Sequence, residues 1–103
     1  MERTYIKDLK EAIGKEVSVS GSVSVRRDHG KLIFFDLRDR TGFVQSVVTP
    51  KVEAHALASE MRPEWVIKVT GVVGERPENM INSEQPLGNI ELQVKDIEIL
   101  GRA

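Results

Sequence analysis

The chain has 103 residues, no cysteine, and 15 basic against 16 acidic side chains, a size that predicts one domain, residues 1–103, burying roughly two-thirds of its unfolded surface without staples. Zero cysteine excludes disulfides, thiolate zinc sites, iron–sulfur clusters and cysteine nucleophiles, and His29 and His55 stand too far apart to start a metal site, so neither metal nor cofactor is expected. The charged Met1-Glu2-Arg3-Thr4 leads into no apolar run, and no stretch approaches the roughly 18 apolar residues of a membrane span, which predicts a soluble, cytoplasmic domain away from membranes.

Tyr5 to Ile13 reads as a short helical turn with Ile6, Leu9 and Ile13 on one side and Gly14 as a left-handed stop. Val17 to Val25 alternates strictly, with Val17, Val19, Val23 and Val25 on one face, four serines on the other, and Gly21 marking a bend or a close backbone approach. Asp28-His29-Gly30-Lys31 is a turn signal, and Leu32 to Asp39 forms a second strand with Ile33, Phe35 and Leu37 inward and Phe34 outward. Arg40-Thr41-Gly42 turns into a third strand, Phe43 to Val48. Thr49-Pro50 has the chemistry of a helix start, Thr as N-cap and Pro at the first helical position, for a helix over Val52 to Met61 that Arg62-Pro63 ends. Trp65 to Glu75 alternates as a fourth strand. A 13-residue connection, Pro77 to Asn89, precedes a fifth from Ile90, whose phase slips at Lys95-Asp96 and so predicts a bulge or bend.

Three strands, one helix and two strands in this order predict an all-β fold with one helix: a five-stranded OB-fold Greek-key barrel with a short N-terminal helical turn. A small SH3-like or other open barrel is the competing arrangement. Barrels of the first kind bind oligonucleotides on the face of strands two and three and at the flanking loops. Phe34 is then a stacking platform or a surface aromatic covering a loop, and Gln45 a donor and acceptor for a base edge or a solvated amide. The net charge of −1 hides a balance of +2 over residues 1–50, concentrated in Arg26, Arg27, Lys31, Arg38 and Arg40. Arg26 and Arg27 suit phosphate oxygens, and His29 and Lys31 in the turn can touch phosphate too. Arg76 and Asn82 lie in the long connection, and Glu91 can accept from an exocyclic amine. Asp36, Arg38, Asp39 and Arg40 read as a charge ladder holding the second turn. Asp36 and Asp39 fall on opposite strand faces and no glycine-rich phosphate loop occurs, so no catalytic residue is expected.

Gly21-x-Val23-x-x-Arg26-Arg27-Asp28-His29-Gly30, running into Leu32-Ile33-Phe34-Phe35-Asp36-Leu37-Arg38-Asp39-Arg40-x-Gly42-x-Val44-Gln45, resembles the N-terminal anticodon-binding domain of aspartyl-tRNA synthetases. The likeness continues through Val69-Thr70-Gly71, Arg76-Pro77-Glu78, Asn82 and Pro86-x-Gly88-x-Ile90-Glu91, and so covers essentially the whole chain. The resemblance implies an OB-fold that grips the aspartate anticodon, GUC or its queuosine form. The aromatic at Phe34 would stack on the middle base, the glutamine at Gln45 would help read that uracil, and Arg27, Arg76, Asn82 and Glu91 would surround the anticodon. It implies a homodimeric parent whose class II catalytic domain binds ATP, aspartate and magnesium, and an isolated domain that is monomeric. Ser22, Ser46 and Ser83 stand where that family commonly has tryptophan, an apolar residue and proline, which natural divergence and engineering both accommodate. Met80 replaces a polar or small residue near the third base, leaving aspartate-only and relaxed aspartate/asparagine recognition both open. Ser46 falls on the core phase, where a hydroxyl without a partner costs roughly 1–3 kcal/mol. A protein-binding or general single-stranded nucleic-acid scaffold is the alternative function.

Overall fold

Alternating valines set the frame of the barrel. In the computed structural model, which describes residues 4–85 and 87–102, β1 spans Glu16–His29 and buries Val17, Val19 and Val23. The N-terminal Met1-Glu2-Arg3 and Pro86 lie outside the described residues. β2 (Leu32–Asp39) and β3 (Gly42–Val48) complete an antiparallel meander. β4 (Val66–Glu75) returns to pair with β1, and β5 (Ile90–Gly101) lies between β4 and β3, closing a barrel in the order β1-β2-β3-β5-β4. The β3–β5 seam is parallel and joins Ser46 to Leu92 and Val47 to Gln93. Phe35, Leu37, Ile67, Ile90 and Leu92 fill the interior with no exposure, each contributing roughly 1.5–3 kcal/mol by leaving water.

The two ends of the barrel are closed differently. At the β2–β3 turn, a 3₁₀ helix over Ile6–Glu11 buries Ile6 and Leu9. Its first N–H groups have no partner within the helix. The turn supplies them: Ile6 N donates to Asp39 Oδ2 at 3.0 Å and Lys7 N to Thr41 Oγ1 at 3.1 Å. Gly14 stops this segment with φ +85°. Ile13 departs from the expected buried side: it is 41% exposed and bridges Val73 in parallel. At the opposite end, beside the β1–β2 turn, Ala54, Ala58 and Met61 are buried, and His55 Nε2 donates to the Lys31 carbonyl at 2.6 Å.

The helix is shorter than its sequence signal. α1 covers Ala54–Ala58, with Glu53 and not Thr49 at its N-cap and no side-chain cap. Residues on either side make i→i+3 turns, Val52 N to Thr49 O before it and Met61 N to Ala58 O after it. The wrap from β3 across the barrel mouth therefore follows tight turns with one α-helical stretch inside them.

The strand irregularities carry more weight for function. In β1 the pairing with β2 shifts between Ser24 and Arg27, and Val25 has φ +43°. This bulge places Val25, expected inside, 54% exposed. Ser18, expected on the outer serine face, is buried, and its carbonyl accepts from Thr4 N at 2.7 Å as the N-terminal segment crosses it. In β5, Thr70 pairs with Asp96 and Gly71 with Val94, so Lys95 is the extra residue that the phase slip predicts. A methyl group on Gly21 would collide with the Arg38 carbonyl, which is the close backbone approach expected there.

The expected charge ladder does not form. Asp39 is taken up by Ile6 and Thr41, Arg38 lies 5.5 Å from the Phe43 ring centre, and Arg40 stacks on Tyr5 at 5.3 Å while donating to its hydroxyl. These partners lie on other segments, out of reach of a pattern read along one strand. Ser46 does follow expectation: it is fully buried and its Oγ has no hydrogen-bond partner.

Candidate nucleic-acid interface

Antiparallel register brings outward side chains of neighbouring strands side by side. On the outer face of β1–β2–β3 one row is Arg27, Phe34 and Val47, and the next is Ser24, Asp36 and Gln45. The β3–β5 seam extends the first row to Gln93. The bulge in β1 decides which arginine joins this face. Regular pairing would set Arg26 opposite Phe34; the extra residue sets Arg27 there instead. Arg26 turns away, clamping Asp28 through two 3.0 Å bonds and donating to the carbonyls of Ser59 and Met61 at 2.9 and 3.0 Å. It ties β1 to the segment after α1 and does not face Phe34.

Phe34, half-buried, stands between two open hollows that share Leu32, Phe34 and Met80 as walls. One, about 440 Å³, continues over Val47, Val72, Glu91 and Gln93. The other, about 520 Å³, is bounded by Arg27, His29 and Gln45. Each is large enough for a planar base against the ring, an arrangement worth roughly 1–3 kcal/mol per base.

Arg27, His29 and Gln45 are the polar groups that rim the second hollow, and Asp36 lies beside Gln45 on the same face outside it. Arg27 Nη2 donates to Gln45 Oε1 at 3.2 Å, which orients the amide, because arginine can only donate. Gln45 Nε2 is buried with no partner. Asp36, opposite Gln45 on β2, is half-buried; burial raises its carboxyl above the usual range, opposed by the charges of Arg27, Arg76 and Arg38.

The β4–β5 connection is built around Arg76. This side chain is 7% exposed and donates to the carbonyls of Ile90 (2.8 Å) and Met80 (3.4 Å) and to Gln85 Oε1 (3.3 Å). Burial lowers its pKa, while the charges of Asp36 and Glu91 oppose that shift. Arg76 thus holds the loop that carries Met80 to the site. Asn82 orders the same loop from within, since its Oδ1 accepts from Glu84 N, its carbonyl from Gln85 N, and its N–H donates to Gly88 O. Gly88 packs so tightly on the Asn82 carbonyl that any Cβ there would overlap it.

Of the nine residues singled out from sequence, Arg27, His29, Phe34, Gln45 and Glu91 border the two hollows. Arg76 and Asn82 support them from the loop. Lys31 lies in the β1–β2 turn and Arg26 on the far side of the bulge, and neither lines the hollows. Asp36, Val47 and Gln93 belong to the face and were not singled out as site residues. Their outward phase, shared with Phe34, Gln45 and Glu91, is the signal that identifies them. Among the described residues no group of three His, Asp or Glu side chains could hold a metal ion, and no helix is long and apolar enough to cross a membrane.

Residues 17–100 match the family described as OB-fold nucleic acid binding domain, tRNA_anti-codon. The chain is 50% identical over 99 residues to the aspartate–tRNA(Asp/Asn) ligase of Thermodesulfovibrio yellowstonii, covering 93% of this chain and 17% of that protein. Its fold superposes on asparaginyl-tRNA synthetase from Pyrococcus horikoshii with TM-score 0.80 and 30% identity, covering 100% of this chain and 23% of that one. Aspartyl-tRNA synthetase from Entamoeba histolytica shares the fold with TM-score 0.86 at 19% identity, over 100% of this chain and 22% of that one. An outward aromatic ring between two hollows, on the strand face where such barrels take oligonucleotides, agrees with this match across 17–100: the chain belongs to the tRNA anticodon family of OB-fold nucleic-acid-binding domains.

Proposed function

We propose that this domain is the anticodon-reading part of a tRNA ligase of the aspartate type and grips the anticodon loop of aspartate tRNA. The observation that carries the reading is Phe34, presented outward between two base-sized hollows with the Arg27–Gln45 pair at its side. The middle base stacks on Phe34 and meets Gln45; the outer bases lie toward Met80, Glu91 and the loop that Arg76 organises. The domain contributes recognition, and chemistry resides in the remainder of a homodimeric, cytoplasmic parent; alone, the domain is monomeric. The Asp/Asn specificity in the names of its relatives, and the likeness to an asparaginyl enzyme, favour a second form of the reading in which both tRNAs are accepted. Their anticodons share the middle uracil and differ at the third base.

Titration of aspartate and asparagine anticodon stem-loops tests this. The expected result is binding that weakens with salt and falls at least about tenfold for Phe34→Ala, the loss of one stacked base. Equal affinity for a loop with an altered middle base would refute specific reading, and equal affinity for both natural loops would establish the relaxed form.

A further inference from the structure

The N-terminal 3₁₀ helix sorts its side chains by charge. Ile6-Lys7-Asp8-Leu9-Lys10-Glu11 repeats apolar, basic, acidic twice, and with three residues per turn the side chains at i and i+3 stack one above the other. Ile6 and Leu9 make the buried row, Lys7 and Lys10 the next, and Asp8 and Glu11 the third. The basic row borders a hollow of about 270 Å³, whose other walls are Thr41, Gly42 and Phe43 at the β2–β3 turn and Leu87 from the β4–β5 connection; neither acidic side chain lines it. Neither lysine ammonium has a hydrogen-bond or ion-pair partner among the described residues. Asp39, the carboxylate of this turn, is already taken up by donors from Ile6, Thr41 and Gly42. Two like charges on one row disfavour the helix that carries them, and an anion between them relieves the repulsion.

This hollow continues the outer face of the meander. A third row of outward positions holds Ser22 on β1, Arg38 on β2 and Phe43 on β3. Phe43 is half-buried, and the exposed Arg38 guanidinium lies 5.5 Å from its ring centre; rings and guanidinium planes both accept a stacked base. On β3, Phe43 is the outward neighbour of Gln45, where the second hollow beside Phe34 ends. On β2, Arg38 stands four residues, roughly 13 Å, from Phe34. The β4–β5 connection reaches both places, through Met80 at one and Leu87 at the other. OB-folds hold strands of about four nucleotides or more, at least one beyond an anticodon triplet. Phe43 and Leu87 supply an apolar floor, and Lys7 and Lys10 supply two free charges, which is the chemistry of a base and its phosphates. We propose that this hollow is a further nucleotide subsite, in which a nucleotide flanking the anticodon sets its base against the Phe43–Arg38 pair and its phosphates against Lys7 and Lys10. This rests on the anticodon reading above and adds to it a contact outside the triplet, carried by the N-terminal helix.

The experiment titrates the aspartate anticodon stem-loop, and two loops made abasic at the nucleotide just before or just after the triplet, over a salt series. The proteins are the wild-type chain, the double variant Lys7→Gln/Lys10→Gln, Phe43→Leu, and Lys68→Glu. Each phosphate contact contributes about 0.7 to the salt slope on a single strand, so the double variant is expected to lower the slope by about 0.7–1.4. Lys68→Glu makes the same change of net charge on an exposed position of β4 and is expected to leave the slope as it is. The wild type is expected to lose at least about fivefold in affinity for one of the two abasic loops, and Phe43→Leu to bind that loop and the intact one within about twofold of each other. An unchanged slope in the double variant, or an equal fall in Lys68→Glu, overturns the proposal. Wild-type tolerance of both abasic loops, or a Phe43→Leu chain that keeps the full loss, overturns it too, and all of these leave anticodon binding standing. If Phe43→Leu fails to fold, the wild type on the abasic loops and the lysine variants decide. Failure of the wild type to bind the intact loop would overturn the anticodon reading and this inference together.

Discussion

Arg27 Nη2 and Gln45 Oε1 meet at 3.2 Å although a whole strand, β2, separates their backbones. The bond fixes the orientation of the Gln45 amide, so under the proposed function Arg27 would govern base recognition as well as charge. Arg27→Lys keeps the charge and loses the fork. It is expected to weaken stem-loop binding about tenfold with an unchanged salt slope, whereas Arg27→Ala also reduces the slope by about one. Dissociation constants over a salt series check both outcomes.

Ser46 buries a hydroxyl that nothing satisfies, between Phe35 on β2 and Leu92 on β5. Ser46→Ala removes the unmet hydrogen-bonding demand with little loss of volume. The expected gain is about 1 kcal/mol, seen as a melting temperature higher by about 4–8 °C. Denaturation of both proteins checks it.

Val25 is β-branched, 54% exposed and held at φ +43°, where side chains clash with the following carbonyl. Val25→Gly keeps the bulge without that clash and loses little packing. An increase of about 0.5–1 kcal/mol in urea denaturation is expected, with stem-loop affinity unchanged.

Two aspartates give opposite pH dependence. At Asp39, burial works to raise the pKa, but hydrogen bonds from the Thr41 side chain and the backbones of Ile6, Thr41 and Gly42 outweigh it and hold the pKa below the usual value. Its contribution is present above the unfolded-state pKa of about 4 and is lost as pH falls through the lower folded value. At Asp36, burial raises the folded pKa above the unfolded one, so its ionisation opposes folding at neutral pH and the penalty is relieved as pH falls through the folded value. Stability measured against pH is expected to lose part of its acid limb in Asp39→Asn. In Asp36→Asn the relief on acidification disappears.

What could be read in advance follows from how local each cause is. The buried sets Val17, Val19, Val23 and Ile33, Phe35, Leu37 were legible because strand side chains alternate with period two, and the same phase exposed Phe34 and Gln45. The β1 bulge was not, because valine is a poor candidate for a left-handed backbone, and reading through it turns Arg26 and Arg27 the wrong way round. Thr49-Pro50 carries the right chemistry for a helix start, yet the path from β3 across the barrel mouth is made of tight turns before Ala54. Arg76 sits in a stretch with the composition of an exposed loop; its burial exists only once residues 78–90 fold around it. Asp36 shares the phase of Phe34, but its half-burial and the three arginine charges that act on it come from other segments and exist only in three dimensions.

The β3–β5 seam closes the ring through two residue pairs, whereas β4 and β5 pair along ten. Parting those two pairs unrolls the barrel into an open sheet, β3-β2-β1-β4-β5, with both hairpins and the β4–β5 ladder intact. The core side chains beneath the seam, Phe35, Val48 and Leu92, and not an extended backbone ladder, are what hold it closed. The seam runs beneath Val47 and Gln93, in the floor of the hollow beside Phe34. The hollow beside Phe34 therefore lies over the least extensively paired junction of the barrel, where two residue pairs alone close the ring.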